Sequence, residues 1–102
     1  MGFIINKQTF NHIFSNSHTF LYGGIKFLYN IGTQPDIGFI VSKKRGMAVE
    51  RNKFKRRCRS LFRETDIFQK NNLNLIIQPT KNLSEWGDIK IAFKMLSSKI
   101  YD

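Results

Sequence analysis

Acid is what this sequence has least of: seven Asp and Glu stand against 17 Lys and Arg. Paired carboxylates for acid–base chemistry, or a carboxylate cluster for a hard cation, are hard to assemble from so few, so no catalytic residue and no metal ligand is assigned. Cysteine occurs once, as Cys58. A single thiol cannot form a disulfide framework or a thiolate metal site, and core packing is its expected role. Only two histidines are present, His12 and His18, and no third partner for a nuclease built on them can be read from the sequence. Two prolines, no Pro/Gly-rich stretch and no repeat leave nothing that marks a linker. No apolar run approaches the roughly 18 residues of a membrane span. The opening MGFIIN lacks a basic region before its apolar residues and lacks a Ser or Thr at position six, so neither a secretory signal nor myristoylation is expected. The expected compartment is the cytoplasm, and 102 residues fit one domain, 1–102.

What the chain does have is concentrated positive charge. From Lys43 to Arg63 it reads KKRGMAVERNKFKRRCRSLFR, ten basic residues against Glu50, so this fifth of the sequence carries +9 of the formal +10. Val49, Phe54, Cys58, Leu61 and Phe62 are interleaved with the charge, which distinguishes it from a disordered basic tail. At about 100° per residue, Cys58, Leu61 and Phe62 fall on the side of Phe54, while Asn52, Lys53, Lys55, Arg56, Arg59 and Arg63 take the other side. Arg51 and Arg57 lie at the edges of the apolar arc, where a long stem covers core surface. A solvated cationic face is the ordinary explanation of such a helix. Here like charges at three- and four-residue spacing repel with almost no acidic relief, so a polyanion, nucleic acid in particular, is the expected counterpart.

The rest of the chain alternates. Phe10, Ile13 and Phe14 behind Asn6 predict a helix over about Lys7 to Ser15. Gly23 and Gly24 break the chain, Ile25 to Ile31 reads as a strand, and the short turn through Gly32, Pro35 and Asp36 predicts a hairpin into Ile37 to Val41. The basic helix is expected from about Val49 to Phe68. LNLIIQP follows as a third strand ended by Pro79. A closing helix is predicted with Ser84 as cap, a stripe of Ile89, Ala92, Phe93 and Leu96, and Gly87 weakening its first turns.

The segment IGFIVSKKRGMAVERNKFKRRCRSLFRE resembles the protein component of bacterial ribonuclease P: a strand, Ser42-Lys43-Lys44, a link through Gly46 to Ala48-Val49, then Arg51-Asn52-Lys53 with Lys55, Arg56 and Arg59. Weaker likeness extends to Phe10 and Phe14, to the strand ending at Tyr29, and to LNLIIQP with its closing helix. The resemblance implies an α+β fold, a single-domain α/β sandwich of the ribosomal protein S5 domain 2-like kind, whose central sheet carries a left-handed βαβ crossover. It also implies an accessory role, in which a catalytic RNA removes the 5′ leader of precursor tRNA and the protein binds both. Lys43, Lys44, Arg45, Arg51, Asn52, Lys53, Lys55, Arg56, Arg59 and Arg63 would then face the RNA subunit. Phe10, Phe14 and Tyr29 would line a leader-binding cleft, although spacing alone favours plain packing for the two phenylalanines. Mg²⁺ would be bound mainly by the RNA, with the protein a monomer in a 1:1 complex. Three departures stand out: Lys53 replaces the second arginine of the family's Arg-Asn-Arg, and much of the basic N-terminal extension common in relatives and a basic C-terminal tail are expected to be lacking. A ribosomal or general RNA-chaperone module would account for charge and aromatics, but not for this spacing.

Overall fold

The order of strands in the sheet does not follow the order of the chain. The computed structural model describes residues 17–81, 83 and 87–101. Strands β1 (His18–Tyr22), β2 (Ile25–Ile31), β3 (Asp36–Phe39) and β4 (Leu73–Pro79) form one sheet in the order β1-β2-β4-β3. Between β3 and β4 come a 3₁₀ turn (Lys43–Arg45), helix α1 (Ala48–Glu64) and the short α2 (Asp66–Lys70); α3 (Gly87–Tyr101) follows β4. The predicted Lys7 to Ser15 helix and the Ser84 cap lie outside the described residues.

The hairpin expected between β2 and β3 does not form. β4 lies between them, antiparallel to β2 through Leu28↔Ile76 and parallel to β3 through Gly38↔Ile76. The reason is burial. Leu73, Leu75 and Ile77 on one face of β4, and Asn74 and Ile76 on the other, are all buried, so this strand needs a neighbour on each side and cover on both faces. The connection 32–35 spans the gap of about two strand spacings, roughly 10 Å, that β4 fills. Its first residue is tied to the entry of β4 by Gly32 N–H donating to the Asn72 carbonyl (2.8 Å).

The hairpin that does form joins β1 to β2. Gly23 and Gly24 both have positive φ (58° and 80°), and Tyr22 pairs with Ile25, which is the geometry of a two-residue turn that follows strand twist. The glycines therefore join two strands, and HTFLY, which the sequence reading left without a strand, is an edge strand exposed along most of its length.

The basic helix ends earlier than predicted. At Thr65 the backbone turns extended, its Oγ1 donates to the Leu61 carbonyl (2.7 Å), and Gln69 Nε2 donates to the Phe62 carbonyl (2.9 Å). These side chains replace helical bonds that an unbroken helix would have made. The break folds α2 back so that the Phe68 ring lies 5.8 Å from Phe62.

Among the described residues, the three helices lie on one face of the sheet. Ile25, Phe27, Leu75, Ile77 and Ile37 meet Phe54, Cys58 and Phe62 of α1, Phe68 of α2, and the expected Ile89, Ala92, Phe93 and Leu96 stripe of α3. Phe93 packs edge-on against Phe27 with centroids 5.5 Å apart. The opposite face holds a smaller cluster of Leu28 and Ile76 with Ile40. At about 25 cal/mol per Å² these faces are the main driving force of the fold. Because α1 is carried in the parallel β3-to-β4 crossover, its inner side is fixed to the core and its outer side points away from the sheet.

Candidate nucleic-acid interface

The approach to α1 is built by local hydrogen bonds. Ser42 Oγ accepts from Lys44 N–H (3.2 Å), Arg45 N–H donates to the Ser42 carbonyl (3.0 Å), and the Arg45 carbonyl accepts from Leu83 N–H (3.0 Å). The 3₁₀ turn is thereby tied to the segment after β4, with Lys43 and Lys44 exposed and Arg45 half-buried. Glu50, the one acid of the basic segment, accepts from Met47 N–H (2.9 Å) at the start of α1. Its negative charge also suits the positive end of the helix dipole.

Along α1 the division read from the sequence holds. Phe54, Cys58 and Phe62 are buried, while Asn52, Lys53, Arg56 and Arg63 are exposed, and Lys55, Arg51 and Arg59 are half-buried. Asn52, Lys53, Lys55, Arg56 and Arg59 come together around a depression of about 530 Å³, with Val49 as its apolar wall. Lys43, Lys44, Arg45, Arg51 and Arg63 do not line it. Arg45 and Arg51 each keep Nε buried without a hydrogen-bond partner, so both lie partly against the protein. Of the five that do line it, Arg59 lies over an aromatic ring, with its Cζ 5.3 Å from the centroid of Phe39. The sequence reading missed Phe39, because an aromatic two residues after Ile37 on the same strand face looks like core. It also left Arg57 out of the site, although Arg57 and Arg56 border a second hollow of about 340 Å³ with Ser60, Leu61, Glu64, Ile89 and Lys90 between α1 and α3.

Tyr29 projects from the helix-covered face of β2, half-buried, opposite His18 of β1, with ring centroids 5.3 Å apart. Burial raises the pKa of its phenol, which stays a neutral donor. Phe10 and Phe14 lie outside the described residues, as does His12. His18 opens strand β1. Burial drives the Cys58 thiol far above its ordinary value, with Arg59 only a small opposing influence, so it is a packing group and not a nucleophile. Among the described residues no group of three or more His, Cys, Asp or Glu is placed to hold a metal ion, and no helix is long and apolar enough to cross a membrane.

Three comparisons bear on this surface. A family model described as Ribonuclease P matches residues 3–100. The ribonuclease P protein component of Finegoldia magna is 29% identical over 96 residues, covering 93% of this chain and 80% of that one. The solved structure of the Staphylococcus aureus RNase P protein aligns with a TM-score of 0.76 at 21% identity, over 97% of this chain and 96% of the other. The RNase P protein of Thermotoga maritima aligns with a TM-score of 0.67 at 24% identity, over 96% and 91% of the two chains.

Proposed function

This chain belongs to the ribonuclease P protein family, and from that membership we propose how its surface serves the enzyme. The family's role is accessory: the protein binds an RNA subunit and takes part in processing precursor tRNA, within an RNA-based endoribonuclease. In our reading the RNA subunit lies against the outer side of α1 and the 3₁₀ turn before it. The observation that carries this is the depression that gathers Asn52, Lys53, Lys55, Arg56 and Arg59 on a helix whose other side is sealed in the core. Four cations and an amide in one fixed hollow suit phosphates and an A-form backbone better than base edges, so recognition there is by charge and shape.

Tyr29, with Phe10 and Phe14, is proposed to receive the 5′ leader, an unpaired strand that stacking holds without strong sequence demand. The chain acts as one domain and as a monomer, 1:1 with the RNA. Mg²⁺ belongs mainly to the RNA, and hydrolysis is carried out there. The protein's residues bind and orient.

Reconstitution tests the whole reading. Purified protein free of RNA is expected to cleave no precursor tRNA, and addition of the cognate RNA subunit is expected to give leader removal at a Mg²⁺ concentration where the RNA alone is slow. Metal-dependent cleavage by the RNA-free protein would overturn it. Equal stimulation of unrelated structured RNAs would favour a general RNA chaperone instead.

A further inference from the structure

We infer that Phe39 is a positioning residue for RNA binding: its ring holds the Arg59 guanidinium at the rim of the α1 depression, ready for an RNA phosphate. The inference rests on the reading of this face as the RNA contact and assigns a role to a residue outside the basic helix.

A chain of fixed contacts leads from the core to the cation. Phe54 is 1% exposed, and its ring meets Phe39 edge to face, with centroids 6.3 Å apart and planes at 73°. The Phe39 backbone is held in the parallel ladder opposite Ile77, and the next residue, Ile40, donates its N–H to the Ile77 carbonyl at 3.0 Å. Phe39 is therefore held by both its ring and its strand. Arg59, from the outer arc of α1, lies over this ring at 5.3 Å and is half-buried as a result.

The chemistry of the contact matters as much as its rigidity. A carboxylate would also orient an arginine, but it would cancel the charge and occupy the planar fork. An aromatic face attracts the cation through its quadrupole and has no lone pair to offer, so the N–H donors stay available. A phosphate then meets a guanidinium that is already oriented, and less side-chain freedom is lost on binding than for the flexible Lys53 and Lys55 beside it. The bland alternative is that Phe39 only fills the seam between β3 and α1.

A double-mutant cycle separates the two. Affinity for the cognate RNA subunit is measured at fixed Mg²⁺ and salt for wild type, Phe39→Leu, Arg59→Ala and the double variant, with thermal unfolding of each. Phe39→Ile runs alongside in case leucine is not tolerated, since a branched side chain suits a strand. Phe39→Leu or Phe39→Ile is expected to weaken binding roughly two- to fivefold, the scale of a cation–π contact. Phe39→Tyr is expected to restore it, and the same substitutions in the Arg59→Ala background to cost nothing more. An equal loss in both backgrounds, or no loss in either, overturns the inference. If Arg59→Ala has no effect while Lys53→Ala and Arg56→Ala weaken binding, the role of Phe39 falls and the RNA-facing surface stands. If none of the three has an effect, the surface itself is misassigned and the inference falls with it.

Discussion

Asn52 and Arg56 stand exposed on α1 with no part in the core, which makes them the clean probes of the basic surface. Alanine at either is expected to weaken assembly with the RNA subunit by about 1.5–3 kcal/mol, the value of a charge-assisted contact, and to leave thermal unfolding of the free protein unchanged. Arg51→Ala is a mixed case. Part of its guanidinium is buried, so unfolding temperature should fall together with binding. For Tyr29→Ala, affinity for precursor tRNA should drop by about 1–3 kcal/mol while affinity for mature tRNA holds, because on the proposed reading only the precursor carries a strand that would stack there. Equal loss for both ligands would return Tyr29 to a packing role. Asp36 gives a prediction in pH. Burial raises its carboxyl pKa, against a hydrogen bond from Gln34 that lowers it, so the folded state binds the proton more tightly than the unfolded one. Stability from this group is then fully present in acid and is lost as pH climbs through the raised pKa. Asp36→Asn should raise the denaturant midpoint at neutral pH and match wild type well below the ordinary value of 3.8.

At the scale of elements, the start of α1 depends on the only acid in the basic segment. Glu50→Ala removes the acceptor of Met47 N–H and a negative charge at the helix N-terminus, and thermal unfolding of the free protein should report a loss of about 1 kcal/mol. The elements also show what the sequence could and could not tell. The stripes Phe54-Cys58-Phe62 and Ile89-Ala92-Phe93-Leu96 are legible because a helix imposes its period on every turn. The break at Thr65 is not, since it comes from Thr65 and Gln69 competing for carbonyls that a helix would use. β1 is hidden because HTFLY is an exposed edge with little burial pattern to detect. The β2–β3 hairpin fails for a different reason: a strand's neighbour depends on what else needs burying, and β4 competes from more than forty residues away from β2. In the site, the cations announce themselves by charge, whereas Phe39 has the same composition signal as any core aromatic.

For the molecule as a whole, ten of 17 cations lie in one segment, and the fold carries that segment on one helix and the turn before it. Binding to the RNA subunit should therefore weaken steeply with salt, and Lys53→Ala should reduce the slope of log K against log salt by about one, as expected for a single phosphate contact. A slope unchanged by Lys53→Ala would place that side chain off the RNA. The position of β4 has a further consequence, in time. Until Leu73–Pro79 inserts, β2 lacks its inner neighbour, β3 has no partner in the sheet, and the crossover that carries α1 has nothing to close on. Pairings that join residues 28 and 38 to residue 76 are slow to find, because a long loop must close before any of them can form. Completion of the sheet and anchoring of the basic helix are thus expected to come late and together, and a refolding experiment that follows both should find them in one phase. On that expectation a newly made chain acquires its fixed basic surface only as β4 inserts, and an RNA that bound this surface would draw the folding equilibrium toward the finished protein.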